Sequence, residues 1–92
     1  MKPIAVLKRA FEIIRKTGQG YSCWIVYTYI FLCWQKFKTE WFPIPSDTFE
    51  NECGVSVRSI KKFRLALENL GLIEYKRGGN GQISQYKITE AK

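Results

Sequence analysis

Arg58, Lys61 and Lys62 lie close together in the segment GVSVRSIKKFRLALENLGLI. If that segment is helical, a rotation of about 100° per residue gathers these cations, with Leu65, on one side. Ile60, Phe63, Leu67 and Leu70 gather on the opposite side. Such a helix can anchor through its apolar stripe and offer its cations to a polyanion. An arginine can pair bidentately with guanine O6 and N7, and a lysine can reach a base or a phosphate. Cations on a solvated amphipathic face are equally ordinary, so the helix alone does not separate a reading face from a wet one.

The residues on either side of this helix sharpen the reading. Gly54-Val55-Ser56 predicts a tight turn, with Ser56 as N-cap of a helix from about Val57 to Leu70. Ahead of the turn, Ser46 is the expected N-cap of a short helix from about Asp47 to Cys53, closed by Gly54. Two helices joined this tightly form a helix–turn–helix layout, whose second helix enters the major groove by its N-terminal end. Beyond Gly71 come LIEYKR, GGNG and QISQYKIT. Leu72, Ile73, Tyr75, Ile83, Tyr86 and Ile88 are β-prone residues on both sides of a glycine-rich turn, which predicts a C-terminal β-hairpin. Lys76 and Arg77 sit at its base, and Asn80 lies in its tip. A hairpin placed there would lie along phosphates or in the adjacent minor groove.

Other chemistry finds little to work with. The chain has no histidine, which removes the commonest general base and the commonest zinc ligand. Its three cysteines, Cys23, Cys33 and Cys53, form no C-x-x-C pair and leave a zinc site a ligand short. An odd, sparse set of thiols reads as reduced cysteine in a cytoplasmic protein. The carboxylates form no constellation with a partner base, so neither a catalytic nor a metal site is expected. GGNG lacks the G-K-[ST] ending of a phosphate-binding loop. The longest hydrophobic run, Tyr21 to Trp34, is interrupted by Ser22 and Thr28 and is too short to read as a membrane span. No targeting segment is evident at the start.

These residues must be positioned by a small frame. Ninety-two residues with 46% apolar content predict one globular domain. The net charge of +7 is unevenly spread: residues 1–38 carry +6, residues 39–55 carry −4, and residues 56–92 carry +5. A first helix is predicted over Pro3–Lys16, with Ile4, Leu7, Phe11 and Ile14 as its apolar stripe. A second is predicted from an N-cap at Ser22 to about Lys38. It is apolar on nearly all sides and should be central, with Trp24, Ile25, Tyr29, Phe31 and Leu32 as core candidates. Pro43 and Pro45 limit TEWFPIPS to a short edge strand at most.

The pattern Ser56-x-x-x-Ile60-x-x-Phe63-x-x-x-Leu67-x-x-x-Gly71-Leu72-Ile73 is similar to the recognition helix and first wing strand of MarR-type regulators. The stretch from YTYIFLCWQKF through GLIEYKRGGNGQISQYKIT also resembles the N-terminal domains of phage replisome organisers and DnaD-like primosome proteins. The resemblance covers about two thirds of the chain and implies a winged helix–turn–helix fold. It implies groove-facing positions at Val57, Arg58, Ser59, Lys61 and Lys62, wing positions at Lys76, Arg77 and Asn80, and backbone contacts from Ser46 and Thr48. Asp47, Glu50 and Glu52 would then have to point away from phosphates or pair with Lys61, Lys62 or Arg64.

The expectation is thus an α+β winged helix–turn–helix of about four helices and a C-terminal hairpin wing, a single domain over 1–92. Residues 1–20 would form an N-terminal helix that can serve dimerisation, and 21–92 the core. The expected role is sequence-specific double-stranded DNA binding without a cofactor, as a small cytoplasmic transcription regulator or replication-origin binder of a bacterium or mobile element. Expected partners are DNA, a second copy, and a replication or transcription protein, with no membrane. The rival is a winged-helix module that binds protein rather than DNA.

Overall fold

The computed structural model describes residues 2–89. It is an α+β arrangement of four helices and one small antiparallel sheet: α1 (Pro3–Thr17), α2 (Gly20–Phe37), β1 (Phe42–Pro43), α3 (Ser46–Cys53), α4 (Val57–Asn69), β2 (Ile73–Lys76) and β3 (Gln85–Ile88). The strands lie in the order β1-β3-β2. Phe42 pairs with Tyr86 on one side of β3, and Tyr75 pairs with Tyr86 on the other. The expected C-terminal hairpin is not a clear separate unit: β2 and β3 pair, but β3 is the middle strand of a three-stranded sheet that also takes in β1. Its paired strands are shorter than the apolar pattern suggested, because Gln82, Ile83 and Ser84 leave the ladder and Ile83 is half exposed. One face of the sheet alternates inward through Phe42, Ile73, Tyr86 and Ile88, all buried.

Packing centres on α2, as its all-round apolar character predicted. It touches α1, α3, α4, β1 and β3, whereas α1 touches only α2 among the described elements. The buried residues of α2 are Cys23, Val26, Tyr27, Ile30, Phe31 and Cys33. Of the core candidates, Phe31 is buried and Trp24 and Tyr29 are half-buried, but Ile25 and Leu32 are exposed. The packed elements cover most of α2 and leave Tyr21, Ile25 and Leu32 exposed along one stripe, so hydrophobicity all round the helix did not tell which side stays uncovered.

Three helix starts and stripes differ from expectation. On α1 the buried stripe is Val6-Ala10-Ile14, with Leu7 and Ile13 half-buried, while Ile4 and Phe11 are exposed. A helix with one neighbour buries one face, and the small Ala10 side chain lets that neighbour approach. On α2 the helix begins at Gly20, so Ser22 lies inside the first turn and does not cap it. On α3 Pro45 is the N-cap, with no side-chain cap, and Ser46 is the first helical residue. The turn into α4 is as expected: Gly54 takes the left-handed φ of 69°, and the Ser59 N–H donates to Ser56 Oγ at 3.2 Å.

The three thiols are free and are held above their ordinary range by burial, Cys23 and Cys53 being pushed up to about 11. Tyr29 is pushed up to about 12, mainly by desolvation. Unfolded, these groups ionise near 9 and 10. Above pH 9 the unfolded chain therefore holds fewer protons than the folded one, and stability falls as pH rises. The melting temperature is expected to decline between about pH 9 and pH 11, with Cys23 alkylated far more slowly in the native chain than in urea. Thermal melts over that range and a thiol-reagent time course check both statements.

Candidate nucleic-acid interface

The exposed face of α4 is built by its own periodicity. Ile60 and Leu67 are buried against the core, and Phe63 and Leu70 are half-buried. That anchoring turns Arg58, Lys61, Lys62 and Leu65 to the outside, where all four are exposed. Among the described residues no carboxylate pairs with Arg58, Lys61 or Lys62, since the ion pairs found involve Arg64 and Lys87. The first turn of α4 also carries no acidic residue. Cations near a helix N-terminus are unfavourable to the dipole. Their concentration there leaves a local positive field available to an anion.

The remaining expected positions divide. Val57 is exposed at the first position of α4, beside Arg58. Ser59 is half-buried, and its hydroxyl accepts from Ser56 Oγ at 3.1 Å, so the cap already uses part of its hydrogen-bonding capacity. Ser46 is exposed at the first residue of α3. Thr48 lines a groove with Tyr29, Lys36, Pro43 and Glu52, on the α2 side of α3. Glu52 lies in that same groove, and Asp47 and Glu50 are exposed. None of the three pairs with Lys61, Lys62 or Arg64.

The loop between β2 and β3 is more ordered in its bonding than a glycine-rich tip suggests. Asn80 and Gly81 take positive φ values of 46° and 84°, and the Gln82 N–H donates to Gly79 O at 2.9 Å. Two central residues with positive φ are what a type I′ turn requires. At the loop base Ser84 Oγ accepts from the Gly78 N–H at 3.1 Å and lies 3.1 Å from the Tyr75 hydroxyl. Gly78 is needed sterically: a Cβ there would come within 2.8 Å of the Ile83 backbone and would strike the Gln82 carbonyl. Arg77 and Asn80 are exposed on this loop. Lys76 projects from the outer face of the sheet, its Nζ 5.3 Å from the Trp41 ring centroid. It shares its surroundings with Trp41 and, across the same ring, Lys87.

Sequence reasoning gave Arg64 no part beyond a partner for nearby acids. Its Cζ lies 3.8 Å from the centre of the Tyr75 ring, and its Nε lies 4.0 Å from Glu68 Oε1. The guanidinium also borders the Tyr86 hydroxyl, which it pulls down against the upward effect of burial. Stacking of this kind is worth up to about 2 kcal/mol where water is excluded. Arg64, Tyr75 and Ser84 thus form a continuous link from α4 to the loop base. Lys87 was also missed. It bridges Glu40 at 2.6 Å and Glu74 at 3.5 Å, and its pKa is raised by the Glu40 hydrogen bond. The pairing Glu74↔Lys87 is a matter of register, and register was the missing signal.

The described residues include no cluster of three or more potential metal ligands. Among the described residues no helix is long and apolar enough to cross a membrane. Comparison with protein-family models, curated proteins and solved structures found no match.

Proposed function

We propose that this chain is a winged helix–turn–helix module that binds double-stranded DNA, with α4 in the major groove and the 77–84 loop as a wing along the backbone. The observation that carries this reading is the α4 face, where Arg58, Lys61 and Lys62 are exposed together and unpaired among the described residues. The element order and the β1-β3-β2 sheet support the fold half of the proposal. In the proposed mechanism Lys61, Lys62 and Arg77 neutralise phosphates and set affinity, while Arg58 reads a base edge. Such a module suits a small transcription regulator or a replication-origin binder.

Fluorescence anisotropy with duplex DNA tests it. Affinity for random duplex should fall linearly on a log–log plot against salt. After selection of a preferred site, Arg58→Ala should cost about 1–3 kcal/mol on that site and little on random DNA. Lys62→Ala should weaken both alike and reduce the salt slope by about one. Equal losses for Arg58→Ala on selected and random duplex would remove it as a base reader. The exposed acids of α3 favour a second reading, a protein-binding module, and release from heparin resin at low salt would support that one.

A further inference from the structure

The cleft between the C-terminal end of α1 and the start of α2 takes no part in the proposed DNA face. It is a groove of about 430 Å³ lined by Phe11, Ile14, Arg15, Gly18, Tyr21 and Trp24, among others. Its floor is aromatic: the Phe11 and Trp24 rings meet edge to face at 5.3 Å. Tyr21 stands at its rim with 87% of its surface exposed. Apolar exposure continues outwards from the groove in two directions. On α1, Ile4 and Phe11 share one stripe with Lys8 and Arg15, all of them exposed. On α2, Tyr21, Ile25 and Leu32 fall on a single stripe. A lone exposed apolar side chain needs no explanation, but a contiguous set around a concave pocket marks a binding surface.

The charges around this surface decide its occupant. Over residues 2–17 the cations are Lys2, Lys8, Arg9, Arg15 and Lys16, against the single carboxylate Glu12, and α2 carries no acidic residue. A second copy docked through the same face would set Lys8 and Arg15 against cations of its own kind. A flat lipid surface would leave the concavity unfilled. We propose that the α1–α2 groove docks an acidic segment of a partner protein, which seats an aromatic or large aliphatic side chain between Phe11, Tyr21 and Trp24. Its carboxylates face Lys8 and Arg15. The inference is independent of the DNA reading, because it uses none of the α4 or loop residues.

Panning a random-peptide display library on the immobilised full chain tests it. The enriched peptides are expected to combine an aromatic or large aliphatic residue with several Asp or Glu. A labelled enriched peptide should bind the wild type and bind Tyr21→Ser and Arg15→Glu at least about tenfold more weakly. Both positions are exposed, so both variants should keep the wild-type circular dichroism spectrum, and Tyr21→Ser the melting temperature; Arg15→Glu places an acid in the last turn of α1 and should melt slightly earlier while staying folded. Enrichment without acidic residues, no enrichment, or equal binding to the variants would overturn the proposal. A concentration-dependent dimer in sedimentation that Tyr21→Ser dissolves would assign the groove to a second copy instead, and binding to phosphatidylserine vesicles lost in Tyr21→Ser would assign it to a lipid surface. Either result also overturns it.

Discussion

The triple variant Arg58→Ala/Lys61→Ala/Lys62→Ala is expected to lose duplex-DNA binding while keeping its fold. All three side chains are exposed on α4, and none forms an ion pair among the described residues. Their removal therefore leaves the core untouched, apart from the light contact of the Lys62 Nζ with the Phe63 ring at 5.7 Å. Each charge-assisted contact to phosphate or base is worth about 1.5 kcal/mol or more, so three together amount to about a thousandfold in affinity. The salt slope should fall by about two, since Lys61 and Lys62 each contribute about 0.9 through a phosphate and Arg58 contacts a base. Anisotropy at several salt concentrations reads both quantities, and circular dichroism confirms that the variant is folded. Binding retained with an unchanged slope would place the DNA-contacting surface elsewhere on the chain.

Phe49→Ala is expected to have the largest effect on stability. Phe49 is the only residue of α3 that is fully buried, at 1% exposure. Its ring lies 5.2 Å from that of Tyr29 on α2 and 5.7 Å from that of Tyr86 on β3. One side chain thus joins α3 to both the central helix and the sheet. Deleting a buried phenyl ring costs about 3–5 kcal/mol, because the cavity cannot fully collapse. A domain of this size holds only about 5–10 kcal/mol in total, so the variant should lose roughly half of its stability. Phe49→Leu keeps most of the volume and should cost less than half as much. Urea unfolding of both variants checks the order and the size of the losses. A cost below about 1 kcal/mol for Phe49→Ala would mean that α3 is not held by this contact.

The segment from α3 through α4 was the more legible. Gly54 and Ser56 mark one short turn from both sides, a helix end followed directly by a cap, and the Ile60-Phe63-Leu67-Leu70 stripe had a mostly polar face opposite it to fix its orientation. The N-terminal half lacked that contrast. In α2 the apolar residues run all round, so neither the starting residue nor the uncovered stripe could be read from period alone. In α1 a wide apolar face contained two candidate stripes, and the choice depended on how closely α2 approaches Ala10. The candidate site followed the same division. The α4 cations were visible in the helical period. The Arg64–Tyr75–Ser84 link and the Lys87 pairs join residues whose closeness comes from strand register and from the docking of α4 on the sheet.

The attachment of α1 to α2 alone, among the described elements, has a consequence for how the molecule breathes. Releasing α1 disrupts one interface, that of Val6, Ala10 and Ile14 with the central helix, and leaves the packing of α3, α4 and the sheet in place. Its backbone amides should exchange with deuterated solvent through a partial opening of lower free energy than global unfolding. Amides of α2 on the side away from α1 should exchange only when the whole described fold opens. The described fold should then open as two cooperative units on a shared helix, with the groove at Phe11 and Tyr21 lying on the seam between them.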